Sequence, residues 1–224
     1  MILKNRLFER EMPTREAKSI YIFCEGARRE SDYFSYFSEI DSRINVEVYK
    51  LSQEEDNSPL GLLEIAKKSI LKDEYNQNPK YDFQANDEVW IVLDTDPDKN
   101  NSKRPQIDAV KKFCEEISDW RVSESNPCFE VWLYYHLFKE KPEFTGDDFC
   151  VNWKTKLNES IKGGFDSRKH SILIDNAIEN SQNTLQITNN YPLKGCTEVF
   201  LLGKSITLVL REKIDKALDR LKDK

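Results

Sequence analysis

The chain has 224 residues, of which 33% are charged and 38% hydrophobic, and its formal net charge is −6. This length suits one large domain with a sizeable core, and the negative balance argues against a uniformly basic nucleic-acid binder. The sequence shows no secretory signal, no membrane-spanning apolar run and no CxxC pair among its five cysteines. We therefore expect a protein of a reducing cytoplasm that does not enter the membrane.

The first part of the chain alternates strand and helix patterns. Apolar or alternating runs predict strands at 19–25, 44–51, 88–94 and 120–123. Apolar residues at helical spacing predict helices at 31–40, 58–71, 106–117 and 129–138. The order βαβαβαβα predicts an α/β fold with a mainly parallel sheet flanked by helices.

The rest of the chain predicts helices and loops. Helix entry is expected near 147–153, a helix over 169–180, a loop at 191–195, and a final helix or helix pair over 197–222. We therefore predict three parts. They are an N-terminal arm (1–18), an α/β domain (19–140) and a mostly helical C-terminal extension packed on it (141–224).

Two of the predicted strands end abruptly at carboxylates. Glu25 follows the first strand, and Asp94 and Asp96 follow the third. Because open α/β sheets carry their chemistry at the carboxyl ends of the strands, these side chains can converge on one hard cation. Mg²⁺ prefers oxygen ligands and commonly bridges to a phosphate, which indicates phosphodiester chemistry. The alternative is that all three are ordinary turn residues.

These residues carry a family resemblance. Glu-Gly at 25–26 and Asp-Thr-Asp at 94–96 resemble the site of the Toprim fold. The segment 24–34 (CEGARRESDYF) is similar to a signature of RloB-like proteins, and 125–133 (SNPCFEVWL) closely resembles a second one. The resemblance covers residues 19 to about 138 well and is weaker in the C-terminal part.

The resemblance implies a nuclease that depends on Mg²⁺ or Mn²⁺, related to the overcoming-lysogenization-defect nucleases. It implies that Glu25 is a general acid or base that also contacts the metal, and that Asp94 and Asp96 are catalytic metal ligands. Glu30 and Glu130 are candidates for a second metal ion. Carboxylates crowded at one site would repel one another unless a divalent cation neutralised them.

The same resemblance implies a role and partners. It suggests the effector of a prokaryotic anti-phage system, controlled by an ATPase partner, with RNA such as tRNA, or DNA, as substrate. No Walker A sequence is present, so ATP use would come from another protein. The oligomeric state is left open, and a homodimer is one arrangement the sequence allows.

Basic residues near the carboxylates and in the C-terminal part are candidates for contacts with a nucleic-acid backbone. Arg29 stands where the RloB-like signature often has Thr, and it either contacts phosphate or is solvated. A solvated helix face is the alternative for the later lysines. The candidates are Arg29, Lys103, Arg104, Lys154, Lys156, Arg168 and Lys169.

Two other functions remain open. The first is a binding module that holds a metal or a phosphate-containing ligand and signals through a partner protein. The second is nucleotidyl transfer, against which the lack of an evident template-binding module counts. We expect His136, which lies in an apolar helical run, to be a core residue and not a catalytic one.

Overall fold

The computed structural model describes residues 8–26, 28–95, 103–144 and 150–222. Its strands are β1 (Lys18–Cys24), β2 (Ile44–Val48), β3 (Glu88–Asp94), β4 (Trp120–Asn126), β5 (Ile187–Thr188), β6 (Tyr191–Pro192) and β7 (Cys196–Thr197). Its helices are α1 (Arg29–Ser35), α2 (Pro59–Ile70), α3 (Arg104–Glu115), α4 (Glu130–Tyr134), α5 (Cys150–Ser160), α6 (Ser167–His170), α7 (Ile174–Thr184) and α8 (Val199–Lys222).

A five-stranded sheet in the order β2-β1-β3-β4-β7 organises the fold. The first four of these strands are parallel, and β7 pairs with the end of β4 in the antiparallel direction. Strands β5 and β6 form a separate two-stranded hairpin. The sequence prediction of an α/β fold with a mainly parallel sheet and a C-terminal helix is confirmed.

Both faces of the sheet are covered, which explains the continuous apolar runs of β1 and β3. Ile20 and Ile22 point into one core, whereas Tyr21 and Phe23 point into another on the opposite face. Helices α2 and α3 cover the second face. Residues of α1, α4, α5, α7 and α8 pack together on the first face. A strand buried on both faces needs apolar side chains at every position.

Some boundaries differ from the sequence prediction. Strand β4 continues to Asn126, past the predicted end at residue 123. The polar residues Glu124 and Ser125 continue the strand because both are fully buried and have side-chain partners, Arg104 and Thr197. Helix α4 ends at Tyr134, short of the predicted residue 138, and α8 is one continuous helix.

The sequence analysis did not predict the short strands β5, β6 and β7, and it assigned part of their region to a loop. Two-residue strands show no periodicity, so only their pairing partners define them. Strand β7 comes from beyond residue 140 and extends the sheet, and the first core likewise contains residues from both sides of that position. No helix within the described ranges is both long enough and apolar enough to cross a membrane.

Residues before β1 lie along the folded chain. The amide of Glu11 donates to the carbonyl of Glu39, and the amide of Thr14 donates to that of Ser42. Lys213 of α8 forms an ion pair with Glu11. The segment 8–17 is therefore attached to the turn before β2 and to the last helix.

Candidate active site

The carboxyl ends of β1, β3 and β4 lie side by side at one edge of the sheet. Cys24 is in register with Val92, and Asp94 is in register with Ser125. Glu25, which follows β1 directly, therefore lies next to the end of β3, where Asp94 is the last residue. The sequence predicted that Glu25 and Asp94 lie close together, and this proximity follows from the strand order. Asp96 lies outside the described residues.

Glu25 is largely buried, and its two carboxylate oxygens have different surroundings. Its side chain is 14% exposed, and its Oε1 atom is paired with the ammonium of Lys103, the residue before α3. Its Oε2 atom is buried and accepts no hydrogen bond from the described residues. A buried carboxylate oxygen without a partner is costly. The donor set at this edge therefore fits a divalent cation with oxygen ligands.

Glu30 of α1 and Glu130 of α4 are buried close to Glu25. Burial, followed by repulsion from Glu130 and Glu25, raises the pKa of Glu30 to about 7, against an opposing backbone hydrogen bond and the charge of Lys154. The Glu30 carboxyl group lies against Gly26, the residue after Glu25. Arg29, the residue before Glu30, is hydrogen-bonded to Glu130. The structure therefore brings Glu25, Glu30 and Glu130 together. Their roles as metal ligands stay predictions.

Gly26 makes room for this arrangement. A Cβ atom at this position would lie 1.8 Å from Oε2 of Glu30 and 2.1 Å from its carboxyl carbon. Any side chain here would therefore displace the Glu30 carboxyl group. The Glu-Gly pair at the end of β1 has a physical reason, because the glycine lets a second carboxylate lie over the chain beside the first.

Two cations accompany Glu130. Arg29 donates a hydrogen bond of 3.0 Å from Nη1 to Oε1 of Glu130. Burial alone would lower the pKa of Lys154, but Glu130 and Cys150 raise it above its ordinary value. The charge of Glu130 is thus balanced by Arg29 and Lys154 without any bound ion.

The turn after β4 is held from several directions. The Asn126–Pro127 peptide bond is cis. The side-chain amide of Asn126 donates to the carbonyl of Pro192, and its Oδ1 atom accepts from the hydroxyl of Thr95 at 3.0 Å. The amide of Gly195 donates to the carbonyl of Asn126. These contacts position the segment that leads to Glu130 and connect it to the hairpin β5–β6.

The sequence analysis did not identify the cysteines that lie in this region. One thiol sulfur each from Cys128 and Cys150 and one carboxylate oxygen of Glu130 lie within 4.8 Å of one another, and all three residues are buried. Cys128 lies inside the 125–133 signature, which was a usable signal. Cys150 is distant in sequence, and no local pattern connects it to Cys128.

The other basic candidates have varied surroundings. Arg104 forms an ion pair with the fully buried Glu124 and stacks on Tyr191, with its Cζ atom 4.0 Å from the ring centroid. Lys156 lies on α5 away from these contacts and is partly exposed. Arg168 and Lys169 are exposed on α6 and pair with Asp166. Contact with nucleic acid stays a prediction for all seven candidates.

His136 lies in the core, as its sequence context indicated. It is fully buried, its Nε2 atom is 3.0 Å from the hydroxyl of Tyr33, and its Nδ1 atom is 3.1 Å from the carbonyl of Trp132. Burial lowers its pKa to about 3, so the ring is neutral near pH 7. These contacts give His136 a structural role between α1 and α4.

Comparison with known proteins identifies a family and nothing closer. A family model described as RloB-like protein matches residues 20–206 of the chain. No curated protein and no solved structure matches the chain significantly.

Proposed function

Since the chain belongs to the RloB-like protein family, we propose that it is a metal-dependent endonuclease with a Toprim-type site at the carboxyl edge of its sheet. The proposed cofactor is Mg²⁺ or Mn²⁺, and the proposed substrate is nucleic acid, either RNA such as tRNA or DNA. We place the protein in the cytoplasm, where its five buried free cysteines suit reducing conditions.

One observation supports this proposal above the others. The Oε2 atom of Glu25 is buried without a hydrogen-bond donor among the described residues, and it lies at the strand edge where Asp94 ends β3. Ordinary turn carboxylates are exposed or accept backbone hydrogen bonds. Glu25 instead keeps one oxygen free at a position where a second carboxylate converges with it.

The residues of the chain have distinct roles in this proposal. Asp94 and Asp96 would hold the metal together with Glu25, which also exchanges a proton with the attacking water or the leaving oxygen. When bound, the metal polarises the scissile phosphate and lowers the pKa of bound water. Lys103 moves from Glu25 to a phosphate oxygen of the substrate, a contact that suits a compact ammonium charge.

We also propose that the protein serves as an anti-phage effector under the control of an ATPase. A toxic nuclease must be kept inactive until it is needed. The ion pair between Lys103 and Glu25 can maintain such an inactive state. In that state a side-chain ammonium neutralises one ligand of the proposed site. A partner that displaces Lys103 would release Glu25 for the metal.

Cleavage assays with the purified chain test the activity. The protein is incubated with total tRNA, single-stranded DNA or plasmid, each with Mg²⁺, Mn²⁺ or EDTA. We expect metal-dependent cleavage that is lost in Glu25→Gln and in Asp94→Asn. Glu115→Gln changes an exposed acid at the end of α3 and serves as the matched control with full activity.

Two outcomes would overturn the proposal. One is cleavage that survives in Glu25→Gln and Asp94→Asn, because that activity would belong to another site or a contaminant. The other is the absence of cleavage in every arm, both with the purified chain alone and with the chain co-purified with an ATPase encoded beside it. Metal-dependent binding of a phosphate ligand without turnover would then favour the binding-module function.

A further inference from the structure

A second set of metal-ligating atoms lies next to the carboxylate edge and includes sulfur. It consists of the thiol sulfurs of Cys128 and Cys150 and one carboxylate oxygen of Glu130, all within 4.8 Å of one another. Cys128 is 0%, Glu130 4% and Cys150 5% exposed, so water has little access to them. Glu130 begins α4 and Cys150 begins α5, so the set joins the ends of two helices.

The ligand chemistry of this set differs from that of Glu25 and Asp94. Mg²⁺ and Mn²⁺ take oxygen ligands, whereas thiolates select softer ions such as Zn²⁺. Zinc lies about 2.3 Å from sulfur and about 2.0–2.2 Å from a carboxylate oxygen, so its ligand atoms are roughly 3.5–3.8 Å apart. The observed atoms lie within 4.8 Å of one another. Side-chain rotations that shift each atom by about 1 Å would bring them to the spacing of zinc ligands.

The surrounding charges suit a thiolate-bound cation. Two thiolates, one carboxylate and one Zn²⁺ carry a net charge of −1, which Arg29 and Lys154 beside Glu130 can balance. The 3.0 Å hydrogen bond from Arg29 uses one oxygen of Glu130 and orients the carboxyl group. Carboxylates that bind metals are commonly held by such an outer hydrogen bond.

We propose that Cys128, Glu130 and Cys150 bind one Zn²⁺ ion that ties the start of α4 to the start of α5. Binding replaces the two thiol protons, which pass to solvent, and the three protein ligands occupy three of the four tetrahedral positions. Glu130, which the family resemblance made a candidate ligand of a second metal ion, belongs to this sulfur-containing set. The site is separate from the proposed catalytic cation at Glu25 and Asp94.

Cobalt provides a direct spectroscopic test, because Co²⁺ replaces Zn²⁺ and gives a thiolate-to-metal charge-transfer band that oxygen ligands do not produce. The full chain is reduced, freed of metal and titrated with Co²⁺, and bound zinc is counted by mass spectrometry after Zn²⁺ loading. We expect the charge-transfer band to saturate at one equivalent of Co²⁺ and Zn²⁺ to displace that Co²⁺. The charge-transfer band should be lost in Cys128→Ser/Cys150→Ser.

Matched variants keep the test decisive. Cys114→Ser changes a buried cysteine in the core on the other face of the sheet and should keep the band. Cys150→Ser and Glu130→Gln, tested singly, cover the case in which the double variant does not fold. The absence of a stoichiometric band in the wild type, or a band of undiminished intensity in folded Cys150→Ser, would overturn the proposal.

The result can be separated from that of the nuclease assay. Asp94→Asn removes a proposed Mg²⁺ ligand but no ligand of the sulfur-containing set, so it should abolish cleavage and leave the cobalt band intact. Loss of the band in Asp94→Asn would mean that the two sets form one site, which contradicts the separate zinc site. Cleavage without cobalt binding would support the nuclease and reject the zinc site.

Discussion

Arg29 at the start of α1 donates a 3.0 Å hydrogen bond to Glu130 at the start of α4, 101 positions away in the chain. This pair joins the segment 24–34 to the segment 125–133. The two stretches that resemble RloB-like signatures therefore meet in space through these residues. The side chain of Glu130 is 5% exposed and that of Arg29 is 42% exposed, so the guanidinium covers a buried charge from the solvent side.

Removal of this guanidinium should destabilise the protein. In Arg29→Met the buried carboxylate of Glu130 loses its hydrogen-bonded cation, and we expect a loss of about 1–3 kcal/mol in the free energy of unfolding. Urea denaturation in EDTA measures the change without metal. The double variant Arg29→Met/Glu130→Gln should recover most of the stability, because the buried side chain that Arg29 neutralised is then uncharged. Equal stability of Arg29→Met and the wild type would contradict this assignment.

Loss of the buried carboxylate of Glu124 should destabilise the protein more than loss of the Arg29 guanidinium. Glu124 is fully buried, pairs with Arg104, and has Lys111 2.8 Å from its Oε2 atom. In Glu124→Gln the two cations lose their fully buried counter-charge and keep Asp108 and Glu198 as partners, and we expect a loss of about 3 kcal/mol in the free energy of unfolding. Glu116→Gln, an exposed change at the end of α3, should stay within about 0.5 kcal/mol of the wild type. A small effect of Glu124→Gln would show that the ion pairs do not hold α3 to β4.

His136 should make stability depend on pH in the acid range. Burial lowers its pKa to about 3 in the folded protein, from an ordinary value of 6.5. Below pH 6.5 the unfolded chain binds a proton that the folded chain does not, so stability falls as the pH drops toward about 3. Down to pH 5 the loss attributable to His136 is about 2 kcal/mol.

The comparison with His136→Gln isolates this contribution. Glu30 acts in the opposite direction, since its raised pKa of about 7 makes the folded state relatively less stable as the pH rises from 4.5 toward 7. That contribution is common to both proteins and cancels in the difference. Urea denaturation between pH 5 and pH 8 should show a difference in stability that narrows at low pH. A difference that is constant with pH would mean that His136 titrates normally.

Lys103 should compete with a divalent cation for Glu25. Its ammonium is paired with the Oε1 atom of Glu25, and both side chains are largely buried. Under the proposed function, Lys103→Met removes a positive charge from the metal site and should tighten Mg²⁺ binding roughly tenfold. The Mg²⁺ dependence of the thermal unfolding midpoint reports this affinity, because a ligand of the folded state raises the midpoint.

Lys112→Met, an exposed change on the same helix α3, is the matched control and should leave Mg²⁺ affinity unchanged. Weaker binding in Lys103→Met than in the control would contradict competition between the two cations. Cleavage by Lys103→Met is a separate measurement. Loss of cleavage together with tighter metal binding is the expected combination, because the proposal gives Lys103 a contact with the substrate phosphate.

Much of the α/β architecture could be predicted from local sequence. Apolar runs such as those of β1 and β3 carry their own signal, because strands buried on both faces need apolar residues at every position. The position of Glu25 and Asp94 at neighbouring strand ends followed from the same runs and from the rule that parallel strands share a carboxyl edge. The two signature segments indicated the family that the comparison then identified.

The remaining features depend on contacts between distant segments, which local patterns do not encode. The predicted strand stopped short of Glu124, and only the packing of α3 on β4 brings Arg104 and Lys111 to it. Strand β7 exists because β4 provides its partner. Cys150 reaches Cys128 and Glu130 only through the packing of α5 on α4. The sequence alone determined where the four parallel strands lie and that Glu25 and Asp94 stand at the ends of two of them. The tertiary structure decided which charges and thiols meet, because burial and pairing arise only when the helices close over the sheet.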